Sequence, residues 1–160
     1  MINIAFICTH NSCRSIMAEA LAKAFLTKKI SFYSAGSKPS GTINPQALEI
    51  LQSNEVDTND LYSKSIDDLR SFNFDVVITL CSNAKNESCP IWVGKCLKAH
   101  WGFDDPSIIK DKIKREKAFR DLFINLRDTL FAFEKLFLRE PHQLKNHINL
   151  IEEQLKSGNI

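Results

Sequence analysis

Cys8 and Arg14 bracket a short polar run, Cys8-Thr9-His10-Asn11-Ser12-Cys13-Arg14-Ser15. Apolar residues 2–7 precede it and a helical pattern follows, so it reads as strand, tight loop and helix start. In that setting the run is an oxyanion cradle with a nucleophile at its floor. Backbone N–H groups of the loop, from Thr9 to Ser15, converge on one point, and the helix N-terminus adds partial positive charge. Arg14 contributes a planar, permanently charged fork for a tetrahedral oxyanion. The same field favours the thiolate of Cys8, the form that attacks, and Ser15 is placed to hydrogen-bond the sulfur. A buried strand-end cysteine is the plain alternative. Position favours chemistry, because ligands of open α/β sheets sit beyond the carboxyl ends of strands.

Two more constellations follow. Cys81 ends a third apolar run, and Cys89 comes later in Cys81-Ser82-Asn83-Ala84-Lys85-Asn86-Glu87-Ser88-Cys89-Pro90. The first and third strands of a parallel sheet are often neighbours, which would bring Cys81 towards Cys8. The small, polar residues between Cys81 and Cys89 suit a segment that moves. Two unrelated loop cysteines remain the simpler reading, and zinc knuckles place their ligands closer together than this pair. After a fourth, weaker strand comes His100-Trp101-Gly102-Phe103-Asp104-Asp105-Pro106. Asp105, held extended by the following proline, suits a general acid; Asp104 competes with it, and an ordinary Asp-Pro turn is the alternative to both.

The elements that must position these residues alternate. Strands are predicted at 2–7, 30–33, 75–80 and 96–100. The first helix carries Met17, Ala20, Leu21, Ala24 and Phe25 on one face, a second starts near Pro45 with Leu48 and Leu51, and a short third spans 66–71. A long amphipathic helix over 116–139 carries Phe119, Leu122, Phe123, Leu126, Leu130, Phe133 and Phe137; Pro141 ends it, and Leu144, Ile148, Ile151 and Leu155 mark another. The expectation is a three-layer α/β fold, a four-stranded parallel sheet flanked by helices with flavodoxin-like winding and an extra C-terminal helix. Residues 1–140 form the domain, and 141–160 pack on it as a helical extension, favouring a monomer over a dimer.

A formal charge of +2 and no basic stripe argue against a nucleic-acid partner, so any anion preference must be local. No apolar run is long enough to span a membrane. Five cysteines without a signal segment point to reduced thiols in the cytoplasm.

Together these stretches, with Ala18-Glu19, Ser34-Ala35-Gly36 and Tyr62-Ser63-Lys64-Ser65, resemble the arsenate reductases built on the low-molecular-weight tyrosine phosphatase fold. The resemblance implies a three-cysteine relay. Arsenate, for which phosphate and sulfate are mimics, binds the loop amides and Arg14; Cys8 attacks arsenic while Asp105 protonates the departing hydroxide. Cys81 then attacks Cys8, and Cys89 takes the disulfide outward to thioredoxin or to glutathione and glutaredoxin, with no bound cofactor. Supporting residues are Asn11, Glu19, Ser34 and Lys64. In some relatives the first three hold potassium with an aspartate whose place is taken here by Lys64, so no metal is expected. His10 replaces a common glycine and either meets the oxyanion or stays exposed; Cys13 and Cys96 are read as packing residues. Two other readings stay open: a phosphatase using Cys8, Arg14 and Asp105 alone, although phosphatases of this fold tend to have tyrosine where Ser107 stands, and a non-enzymatic oxyanion or redox sensor.

Overall fold

A computed structural model of the protein describes residues 1–81, 84 and 96–160. Cys89, Pro90 and Trp92 lie outside the described residues. In chain order the elements are β1 (Ile2–Cys8), α1 (Arg14–Phe25), β2 (Ile30–Gly36), α2 (Pro45–Ser53), a 3-10 turn (Ile66–Leu69), β3 (Val76–Thr79), β4 (Leu97–His100), a second 3-10 turn (Pro106–Ile108), α3 (Lys112–Arg139), a third 3-10 turn (Pro141–Gln143) and α4 (Leu144–Ser157).

The four strands form one parallel sheet in the order β2-β1-β3-β4. The chain winds one way from β1 to β2 and the other way to β3 and β4, so the crevice of the fold opens at the end of β1. Cys8 closes that strand, opposite Gly36 of β2. The register therefore delivers the cysteine loop to the switch point.

Apart from Asn3 near its start, β1 is apolar because both faces of the sheet are covered. Ile4, Phe6, Ile30, Phe32, Val76 and Ile78 pack against the helices. The opposite face is lined by Ala5, Ile7, Ala35 and Val77, against which Leu69, Cys8, Cys81 and Ala84 pack. Trp101, just past β4, sits fully buried in the main core, its ring 6.4 Å from Phe6 and 5.9 Å from Phe133.

Several local expectations shift. β2 runs on to Gly36 instead of ending at 33, and the short helix expected over 66–71 is the 3-10 turn Ile66–Leu69. α1 buries Ser15 through Ala22 continuously, but Ala24 and Phe25, expected on its core face, are exposed. The last turn runs past the core, and the Phe25 ring meets Phe131 at 6.1 Å on the surface instead. α3 begins before residue 116, at Lys112, because Asp111 caps it by accepting from the Lys114 N–H at 2.8 Å. Lys112 to Arg115 carry no apolar period, so only the cap marks that start.

α4 covers the outer edge of β4. Ile148 and Ile151 enter the main core, the Glu152 carboxylate accepts the His100 backbone N–H at 3.0 Å, and the Trp101 indole donates to the Ile148 carbonyl at 3.4 Å. A carboxylate thus occupies an edge N–H that would otherwise be open to another strand.

Candidate active site

The loop after Cys8 is shaped by its carbonyls. Those of Cys8, Thr9, His10 and Ser12 accept, in turn, the backbone N–H groups of Ser37, Lys38, Ser40 and Asn44, at 2.8–3.3 Å. With the carbonyls tied outward, the N–H sides of these peptides are left to face an anion. Two residues make the tight path possible. Asn11 takes a left-handed φ of 45°, which asparagine tolerates better than most residues. Gly36 lies so close that a Cβ there would stand 2.6 Å from the Thr9 carbonyl oxygen.

Hydrogen bonds fix the surroundings of the sulfur in direction as well as place. The Asn11 N–H donates to Cys8 Sγ at 3.2 Å, and Ser15 Oγ lies 2.9 Å from the same sulfur. Asn11 Nδ2 donates to Ser15 Oγ at 2.8 Å and to Ser34 Oγ at 2.9 Å, while its Oδ1 accepts the Lys64 backbone N–H at 2.8 Å. That last bond sets which end of the amide is nitrogen. Ser15 Oγ already accepts, so its own hydrogen is free to point at Cys8.

Behind this chain, Ser34 donates a very short bond to Glu19, a buried carboxylate that also pairs with the Lys23 and Lys64 ammonium groups. Lys64 Nζ is itself buried, 3.2 Å from Glu19 and 3.2 Å from the Tyr62 carbonyl, with the Tyr62 ring centroid at 4.4 Å. The space beside Glu19, Ser34 and Asn11 therefore holds an ammonium, and these residues do not fit an additional cation there. The segment carrying Lys64 is locked by a capping box at Ser65 and Asp68 and by the Gly36 N–H donating to the Lys64 carbonyl at 2.9 Å.

Arg14 opens α1 and reaches across the cleft. Nη2 meets Asp105 Oδ2 at 2.8 Å and Nη1 donates to the Phe103 carbonyl at 3.1 Å. Its buried Nε has no acceptor among the described residues. A buried donor without a partner costs about 1–3 kcal/mol, which an oxyanion seated on the loop would relieve. Asp105, rather than Asp104, is the carboxylate at Arg14, and its second oxygen accepts from Ser107 N and Oγ at 2.9 and 2.6 Å.

The cysteines separate by environment. Cys8 and Cys81 are buried in the same apolar cluster, whereas Cys13 packs into the main core on the other face. Burial pushes the Cys13 thiol far up, with the Asp105 charge adding to it against the opposing pull of Arg14. Cys81 follows β3, and its Sγ lies 3.5 Å from Thr9 Oγ1 and accepts the Ala84 N–H at 3.4 Å. His10 is exposed at the rim. The Thr9 contact with Cys81 and the Ser107 contacts with Asp105 escape sequence reasoning; adjacency of β1 and β3 is the signal that could have found the first.

The profile of the low molecular weight phosphotyrosine protein phosphatase family matches residues 3–148. The chain belongs to that family. Within it, the chain is similar to an arsenate reductase of Staphylococcus aureus, 45% identical over 104 residues that cover 65% of this chain and 78% of that protein. Among solved structures, an arsenate reductase in the phosphate-binding state superposes with a TM-score of 0.64 at 25% identity, covering 81% of this chain and 97% of that one. A thioredoxin-dependent arsenate reductase of Corynebacterium glutamicum gives a TM-score of 0.62 at 28% identity over 85% of this chain and 63% of that one.

Proposed function

We propose that the chain is an arsenate reductase that runs a thiol–disulfide relay through Cys8, Cys81 and Cys89 and serves arsenic detoxification in the cytoplasm. The observation that carries this reading is a second buried thiol, Cys81, against Thr9 of the cradle that holds Cys8. A phosphatase using the same cradle needs Cys8, Arg14 and Asp105 only. The similarity to proteins named arsenate reductase supports the same choice.

In the first step the Cys8 thiolate forms an S–As bond as one As–O bond breaks, and the leaving hydroxide departs as water with the proton of Asp105. Arsenic is still As(V). Cys81 then attacks Cys8: the S–S bond forms, the S–As bond breaks, and its electron pair stays on arsenic, which leaves as arsenite. Cys89 attacks Cys81 and frees Cys8 as thiolate. The Cys81–Cys89 disulfide is reduced by a thiol donor outside the site, because such a donor is too large for the cradle. The thioredoxin-dependent neighbour favours thioredoxin over glutathione and glutaredoxin.

Lys64 stands in this reading as a built-in cation, with no metal or bound cofactor required. Residues 141–160 belong to the same folding unit, and the protein works as a monomer. Arsenate-dependent NADPH oxidation tests the reading, run with thioredoxin and its reductase and, separately, with glutathione and glutaredoxin. Turnover in the first assay is expected, with Cys89→Ser halting after one cycle. Multiple turnovers by Cys89→Ser with thioredoxin would reject the relay.

A further inference from the structure

Asp105 has two carboxyl oxygens, and the structure divides them. Oδ2 faces Arg14 across the cleft at 2.8 Å. Oδ1 is held from behind by a single residue, which gives it both a backbone N–H at 2.9 Å and a hydroxyl at 2.6 Å. A capping side chain needs only the N–H, as Asp111 and Asn44 illustrate at the starts of the helices α3 and α2. The hydroxyl is an added contact. It is also the shorter one, and Ser107 lies on the exposed side of the loop while Asp105 is 23% exposed.

We propose that Ser107 is a positioning residue for the acid step, its hydroxyl fixing the Asp105 rotamer so that Oδ2 is presented to Arg14 and to the oxygen leaving arsenic. The inference rests on the reading of Asp105 as the acid. The hydroxyl serves this task in both protonation states: it donates to Oδ1 of the ionised carboxylate and, once the acid proton sits on Oδ2, to the carbonyl oxygen that Oδ1 has become. The leaving oxygen takes one proton from Asp105 per cycle, and an anchored Oδ1 keeps the carboxyl aimed as that proton returns to Oδ2 from solvent.

The test separates the acid from its holder. Single-turnover arsenite formation is measured with enzyme in excess, and phosphate binding is measured by calorimetry, for the wild type and for Asp105→Asn, Ser107→Ala and Ser107→Thr. Ser107→Ala is expected to slow the single turnover roughly tenfold, the range of one hydrogen bond to a charged group when a second donor remains. Phosphate affinity should change less than twofold, and Ser107→Thr should recover most of the rate. If Asp105→Asn is as fast as the wild type, the acid reading itself fails. If Asp105→Asn is slow but Ser107→Ala is not, only the role given to Ser107 is overturned. A loss of melting temperature without a loss of rate in Ser107→Ala, or an Ala defect that Thr does not recover, likewise reduces the hydroxyl to a turn cap.

Discussion

On one side of the cleft, Asn11, Ser15, Glu19, Ser34 and Lys64 are all 5% exposed or less, and each is hydrogen-bonded to another member of the group. On the other side, the Asp105 side chain is 23% exposed, and its partners are Arg14 from the opposite wall and an exposed serine. Cys8, the proposed nucleophile, is thus held by an interlocked buried network, and Asp105, the proposed acid, by contacts at the water boundary. A buried network resists displacement because each of its polar groups would be left without a partner. Contacts shared with water break at small cost.

The difference can be attacked at four points. Cys8→Ser should have the largest effect, taking arsenate turnover below detection in either donor assay; measurable arsenite production would remove Cys8 from the first step. Lys64→Met comes next, because it strips the buried ammonium from Glu19 and leaves only the half-exposed Lys23. Losing one partner of a buried pair costs about 3–5 kcal/mol, to be read as a lower urea midpoint at unchanged m-value. A loss below 1 kcal/mol would mean that the network is less interlocked than its burial suggests. The same residue predicts that wild-type turnover is equal in potassium and sodium at constant ionic strength; strong activation by potassium would contradict the built-in cation. On the acid side, Asp105→Asn should slow the first chemical step by about 10²-fold, the lower end for general acids, with the fold and its urea midpoint nearly unchanged. A large stability loss there would erase the contrast between the two walls.

The smallest effect belongs to Glu152. Burial alone would raise its carboxyl, but the Lys156 side chain and the His100 backbone N–H outweigh that and hold it below its ordinary value of 4.5. A depressed carboxyl stabilises the fold at neutral pH and loses that contribution as pH falls through its folded value. Glu152→Gln should therefore be less stable than wild type at pH 7 by under about 1 kcal/mol, with the gap closing below about pH 4.5. A gap that persists in acid would point to packing rather than charge.

The walls also differ in how far the sequence exposes them. Cys8 to Ser15 are contiguous, so their order and the flanking apolar run already describe a strand-loop-helix cradle. The alternation of strands and helices likewise suffices for the parallel sheet. Residues distant in sequence were named through family resemblance, since Glu19, Ser34 and Lys64 carry no local pattern that would join them. The Ser107 hydroxyl contact depends on a rotamer, not on a spacing, whereas the Thr9–Cys81 contact follows from the adjacency of β1 and β3. The start of α3 is hard to read from sequence for a different reason: its signal is the single cap at Asp111, while the apolar period begins further on at Phe119.

The Asn11 amide has a further consequence. Its two ends are distinguishable only because the Lys64 backbone supplies a donor on one side and Ser15 and Ser34 supply acceptors on the other. Hydrolysis of that amide to a carboxylate would leave every heavy-atom position filled while reversing the polarity at one end. Ser15 would then spend its hydrogen on the new oxygen instead of on Cys8. A sample carrying that lesion would also hold a second buried negative charge near Glu19 and lose the hydrogen bond to Ser34, whose hydrogen already goes to Glu19, a change that a mass spectrometer would register.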